Sequence, residues 1–264
     1  MEVGISTASL FERERTEGAL LKLNNLGVKV CEVFLESYCE YTKKFGKILK
    51  KNKGEIDIHS VHTLTTQFEP QLYSVNERAK ADSFKFLEET MKVAKLIGAK
   101  NYTFHGGARF KKTPFNINYD RVGGITKDIT EVCASYGVNL AYENVHWGYY
   151  NYVGFFSEIK KRAPLLKGTL DIKQARQSDL FYGDLIKEMG ENIITVHLSD
   201  VNEQGKMCLP GQGTTDFNDV FNRLKDVGFN GAMLLEVYKN DYETYEELIS
   251  SLEFVKELAY KIFD

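Results

Sequence analysis

Leu96-Ile97-Gly98-Ala99-Lys100-Asn101-Tyr102-Thr103-Phe104-His105 is the stretch on which the reading of the whole chain turns. A helical stripe of Phe84, Leu87, Met91 and Ala94, at spacings of three and four, runs up to Gly98, and a β-rich run follows almost at once. Glycine closes a helix in the left-handed region without steric cost. The β-rich run then ends on a histidine, so ten residues hold a helix stop, a strand and a polar group at the strand's C-terminal end.

The same joint recurs at Leu26-Gly27-Val28, Tyr136-Gly137-Val138, Met189-Gly190-Glu191 and Val227-Gly228-Phe229. Around these joints the β-rich segments are residues 2–6, 28–35, 56–61, 101–104, 139–142, 168–170, 193–198 and 232–237. Helical patterns separate them. The longest is expected to open at a capping box, Ser74-Val75-Asn76-Glu77, and the last carries Tyr245, Leu248, Leu252, Val255 and Ala259 on one stripe. Asp216 and Asp219 are placed to cap the helix holding Val220 and Leu224. Strict β-then-α alternation implies parallel strands with crossover helices, and eight such units suit closure into a (β/α)8 TIM barrel, a single domain over residues 1–264.

Composition is that of an ordinary soluble protein. Of 264 residues 43% are hydrophobic and 27% charged, with 4 prolines, enough to bury a core with little disorder. A net charge of −3 gives no basic field for nucleic acid, and Lys43, Lys44, Lys47, Lys50, Lys51 and Lys53 read as a solvated helix face. Cys31, Cys39, Cys133 and Cys208 form no CxxC pair, so reduced thiols and a cytoplasmic location are expected. No apolar signal core or membrane span is evident. A homo-oligomer is compatible with the sequence and not specified by it.

In such barrels chemistry sits at the C-terminal strand ends. Those ends carry His62, His105, Glu143, Asp171, His197 and Glu236. Any one of them could cap a helix or bond a loop. Together, half-buried carboxylates would repel one another unless a cation neutralised them, and a divalent metal does so most simply. Glu143, Asp171, His197 and Glu236 make an oxygen-rich set with one imidazole, which suits Mn, Mg, Co or Zn. Gly211-Gln212-Gly213 is a loop turning toward a helix cap, since a dinucleotide fingerprint belongs in the first strand-to-helix turn. Trp147, with Tyr149, Tyr150 and Tyr152, either walls a sugar face or packs on the barrel helices.

As a set, Val61-His62, Phe104-His105-Gly106-Gly107, Tyr142-Glu143-Asn144, Leu170-Asp171, Val196-His197-Leu198-Ser199-Asp200, the run from Pro210 to Phe217, and Leu235-Glu236 resemble the xylose-isomerase-like barrel superfamily of sugar isomerases and epimerases, which includes endonuclease IV. The resemblance covers nearly the whole chain. It implies that Glu143, Asp171, His197 and Glu236 hold one divalent metal. It also implies that Glu143 and Glu236 act as acid and base on a sugar, sugar phosphate or cyclitol-like keto compound, through a metal-stabilised enediolate. His62, His105, Gln174, Asp200 and Trp147 are then the expected substrate contacts, with a second metal at His62 and His105 as the alternative use of that pair. Two departures bear on activity: Gln174 stands where the family commonly has histidine, and the loop after strand seven lacks the usual histidine and arginine. A phosphodiesterase of the endonuclease IV type on abasic DNA is therefore the rival reading, disfavoured by those departures, and a non-catalytic sugar-binding barrel is the other.

Overall fold

The computed structural model describes residues 1–64, 67–109 and 116–263. Its barrel strands are β1 Glu2–Ser6, β2 Val30–Leu35, β3 Asp57–Thr63, β4 Asn101–Phe104, β5 Asn139–Glu143, β6 Lys167–Asp171 and β7 Ile193–Leu198. A two-stranded ribbon follows, β8 Asp200–Val201 with β9 Met207–Cys208, and β10 Ala232–Leu235 is the eighth barrel strand. All barrel pairings are parallel, and β1 pairs with both β2 and β10 to close the ring. The helices are α1 Thr16–Asn25, α2 Lys43–Asn52, α3 Glu69–Leu72, α4 Glu77–Ile97, α5 Tyr119–Ser135, α6 Phe155–Lys160, α7 Ile172–Gln177, α8 Tyr182–Met189, α9 Phe217–Asp226 and α10 Tyr245–Phe263.

Local chemistry explains where these elements stop. Helix α4 ends at Gly98, whose φ of 86° lets the N–H groups of Gly98 and Ala99 both return to the Ala94 carbonyl, at 3.0 and 2.9 Å. The other four joint glycines also have positive φ. Gly190 differs in its ψ of −138°, and a short 3₁₀ turn, Gly190–Asn192, intervenes before β7. The expected capping box is corrected: Asn76, not Ser74, is the N-cap of α4, its side chain accepting from Arg78 and Ala79 N–H, while Ser74 accepts from Asn76 N–H one step outside. Asp216 caps α9 by accepting from Asp219 N–H. The apolar stripes of α4 and α10 face the core, and Lys43, Lys44, Lys47, Lys50 and Lys51 of α2 face solvent.

Strand ends place the polar residues at one mouth of the barrel. β3, β5 and β6 run further than the sequence suggests and take in His62, Glu143 and Asp171. β10 stops at Leu235, and Glu236 lies just past it with its N–H on the Leu198 carbonyl at 3.0 Å. β2 begins at Val30 rather than Val28, and all six of its residues are buried, as expected of a parallel strand covered on both faces. One of the six is Glu32. No helix among the described residues is long and apolar enough to cross a membrane.

Candidate active site

His197, at the end of β7, is the centre of the cluster. Its Nδ1 lies 3.0 Å from Glu143 Oε1 and 2.6 Å from Glu236 Oε2, so two carboxylates crowd one ring nitrogen that carries at most one proton. His105 Nε2 is 3.2 Å from Glu143 Oε2 and 2.9 Å from His62 Nε2. Donor atoms of Glu143, Asp171 and His197 lie within 4.8 Å of one another, and so do those of His62, His105 and Glu143 and those of Glu32, His62 and Glu236. Ligands about 2.1 Å from one ion sit roughly 3 Å apart. Glu143 Oε2, Glu236 Oε2, His62 Nδ1 and His197 Nε2 are buried without an aligned hydrogen bond. Close but unaligned donor atoms are what a cation organises, and these clusters fit a divalent metal.

Sequence reasoning missed two buried carboxylates behind the ring. Glu32 accepts from Ser6 Oγ, Ser60 Oγ and Thr103 Oγ1 at 3.0, 2.7 and 2.6 Å, and faces His197 Nε2 at 3.1 Å and His62 Nδ1 at 3.4 Å. Glu69, the first residue of α3, accepts from Thr63 Oγ1 and Tyr102 Oη and from the N–H groups of His105 and Gly106, with Oε2 3.5 Å from His105 Nδ1. Each of the three histidines thus turns one nitrogen inward and has a carboxylate behind the other, the arrangement that fixes tautomer and ring orientation in metal sites. A signal for Glu32 was present: a charge inside an otherwise continuous apolar strand. Glu69 lies in an irregular stretch that offered none.

The electrostatics follow from this crowding. Burial works against charge on His197, but Glu236, Glu32 and Glu143 outweigh it and hold the imidazole well above its ordinary pKa. His62 rises to about 9, with Glu32 overcoming burial there. In return, and again against burial, His197 draws Glu236 down to about 2 and Glu143 below the usual range. Asp171 goes the other way, to about 6, because burial and the neighbouring Glu143 and Glu236 outweigh Lys173. The raised pKa values of His62 and His197 set proton binding on these rings against binding of a divalent cation, which would displace such protons.

Asp171 and the residues after it shape one side of the mouth. Its Oδ1 accepts from Gln174 N–H at 2.9 Å, capping α7, and its Oδ2 faces Lys173 Nζ at 3.8 Å. Gln174 is buried and accepts from the N–H of His146 at 3.1 Å, with His146 Nδ1 2.7 Å from the same oxygen. A cavity of about 270 Å³ opens over the ring, lined by His62, His105, Glu143, Gln174, Glu236 and Tyr238 and walled by Phe11, Phe34, Leu64 and Trp147.

The aromatic segment divides. Trp147 tilts against His105 at 5.3 Å and reaches the cavity, whereas Tyr150 is buried against Phe155 and Phe156, Tyr152 meets Phe155, and Tyr149 packs on Tyr73. Asp200 is not brought into the ring. Its carboxylate accepts from the N–H groups of Val201, Gly211, Gly213 and Thr215, at 2.8 to 3.1 Å, and so folds the loop after β9 onto the ribbon.

The family described as xylose isomerase-like TIM barrel matches residues 20–258. No curated protein matches the sequence. Among solved structures, a D-tagatose 3-epimerase-like protein superposes with a TM-score of 0.81 at 20% identity, covering 99% of this chain and 98% of that one. The IOLI protein with a binding zinc atom gives 0.80 at 17% identity, with all of both chains covered. D-psicose 3-epimerase with D-tagatose, from Clostridium cellulolyticum H10, gives 0.79 at 16% identity, again over the full length of both.

Proposed function

Because the chain belongs to the xylose isomerase-like TIM barrel family, we propose that it is a divalent-metal-dependent isomerase or epimerase of a small sugar-like keto compound. The observation that carries this reading is the approach of Glu143 and Glu236 to one nitrogen of His197 at the barrel mouth. The epimerase titles of the similar structures support it, as does the zinc in one of them. Glu143, Asp171, His197 and Glu236 would hold the metal, with Glu32 orienting His197 from behind. When bound, the ion supplies polarisation of a substrate carbonyl and its neighbouring hydroxyl, which acidifies the C–H between them.

The chain's own groups do the remaining work. Glu143 and Glu236 are the two carboxylates that face the cavity. One, as the carboxylate, takes the proton from carbon, and the other, as the carboxylic acid, delivers its own proton to the neighbouring carbon or to the other face, so the two exchange protonation states over the turnover. Trp147 and Phe34 give the sugar's C–H face an apolar wall and limit water. Gln174, oriented by His146, presents its amide N–H groups to a substrate hydroxyl.

The test is hydrogen exchange. The metal-loaded protein incubated in D2O with a panel of ketoses and inososes should place deuterium at a carbon beside the carbonyl, and Glu143→Gln and Glu236→Gln should each slow this by about 10²-fold or more. Undiminished exchange in both variants, or none with any member of the panel, would remove the proposal.

A further inference from the structure

A second cavity, of about 380 Å³, is lined by Lys173, Arg176, Ser199 and Thr215 among others, and Lys173 links it to the first by its hydrogen bond to Tyr238. We infer that this cavity is a subsite for an anionic group, a carboxylate or a phosphate, carried by the substrate. The inference rests on the proposed reading of the first cavity as the reacting site, and it narrows the substrate class to acidic sugars.

Lys173 is the main argument. Its side chain is 3% exposed, and its ammonium has three N–H donors to satisfy. Among the described residues it makes one long hydrogen bond, 3.3 Å to Tyr238 Oη, with the ammonium 4.3 Å from the centre of the same ring; Asp171 Oδ2, at 3.8 Å, is beyond hydrogen-bond reach. A buried cation with donors left over calls for an oxygen ligand. Ser199 strengthens this, being 3% exposed with no side-chain hydrogen bond among the described residues. Arg176, on the exposed face of α7, forms no ion pair with a carboxylate among them, and its only hydrogen bond is a marginal one of 3.5 Å to Thr215 Oγ1.

Two carboxylates also border the cavity. Asp200 has both oxygens taken by four backbone N–H groups, and Asp179 sits on the exposed rim in left-handed backbone, φ 56°. Neither pairs with Lys173 or Arg176, and Asp171, which faces the Lys173 ammonium at 3.8 Å, leaves its N–H donors unfilled. Tyr238 lines the reacting cavity and Lys173 the second one, so a substrate lying over the ring extends its acidic end past the Lys173–Tyr238 contact toward Arg176.

Calorimetry on the metal-loaded protein tests this with D-fructose, D-fructose 6-phosphate, D-fructuronate and inorganic phosphate. At least one acidic sugar should bind about tenfold or more tightly than D-fructose, the gain that one or two charge-assisted hydrogen bonds provide. Arg176→Gln, at an exposed position that does not threaten the fold, should reduce that preference several-fold, and Lys173→Met should do the same where melting shows it folded. Inorganic phosphate binding that competes with the acidic sugar places the anion in the same subsite. Equal affinity for neutral and acidic sugars, or a preference untouched by Arg176→Gln, overturns the inference. Deuterium exchange on D-fructose without any anionic preference removes only the subsite, whereas an anionic preference without exchange on any sugar removes only the catalytic reading.

Discussion

Glu32→Gln is the perturbation that probes the site most finely, because it changes one atom's chemistry and almost no volume. Glu32 Oε2 accepts from Ser60 and Thr103, while Oε1 accepts from Ser6 and faces His197 Nε2 at 3.1 Å and His62 Nδ1 at 3.4 Å. In the amide, the oxygen keeps the two hydroxyls at the Oε2 position and the NH2 group is left facing the two imidazoles. An N–H donor there requires an acceptor nitrogen, which moves the imidazole proton of His197 to Nδ1, the nitrogen that faces Glu143 and Glu236. Protonated Nδ1 cannot bind a metal. Loss of such a supporting carboxylate weakens metal affinity by about 10- to 100-fold, equivalent to roughly 1.4–2.7 kcal/mol. The stability of the metal-free protein should fall by no more than about 1–3 kcal/mol, since Ser6 can turn its hydroxyl to accept from the new amide. Competitive titration with a chromophoric chelator gives the affinity and thermal melting of the apo-protein gives the stability. Metal affinity within about twofold of wild type, in a variant that melts normally, would refute the role given to Glu32.

Further predictions concern regions away from the ring. His59, buried with Nε2 2.9 Å from Thr195 Oγ1, has its pKa lowered by burial from 6.5 to about 4. The unfolded chain therefore binds a proton that the fold refuses between those values, so this contribution is complete above about pH 6.5 and lost as pH falls toward 4, at most ~3 kcal/mol. His59→Gln should flatten the dependence of melting temperature on pH across that window, and an unchanged slope would contradict the assignment. Gly213 has no room for a side chain: a Cβ there would lie 2.3 Å from the Val201 carbonyl oxygen and 2.5 Å from Asp200 Oδ1. Gly213→Ala should lower stability by about 1–3 kcal/mol, measured by urea unfolding, whereas a wild-type midpoint would mean that the loop is not held by Asp200.

What was legible in the sequence was periodicity and its interruptions. The stripe from Phe84 to Ala94, the stop at Gly98 and the β-run ending at His105 each encode local burial, and repetition of that unit specifies the barrel. Strand ends then bring His62, His105, Glu143, Asp171, His197 and Glu236 to one mouth, so the ring was legible once the strands were. Glu32 stood out only as a charge inside an apolar strand, and its role was not legible, because its partners Ser6, Ser60 and Thr103 come from three other strands and meet only when the barrel closes. Asp200 follows the same logic in reverse. A carboxylate two residues past a strand end reads as a substrate contact; its oxygens are taken up by the glycine-rich loop eleven to fifteen positions later, and the residue borders the second cavity. The N-cap shifted from Ser74 to Asn76 because both residue types cap, and only backbone geometry chooses between them.

The central claim is that the ring at the barrel mouth is a divalent-metal site. Elemental analysis of the protein after loading with Mn²⁺ or Zn²⁺ and exhaustive dialysis, with His197→Ala and Asp171→Asn alongside, tests it most directly. A single tightly held ion per chain is expected in the wild type, and its loss from both variants. No retained ion in the wild type, three ions per chain, or the same ion content in the variants would contradict it.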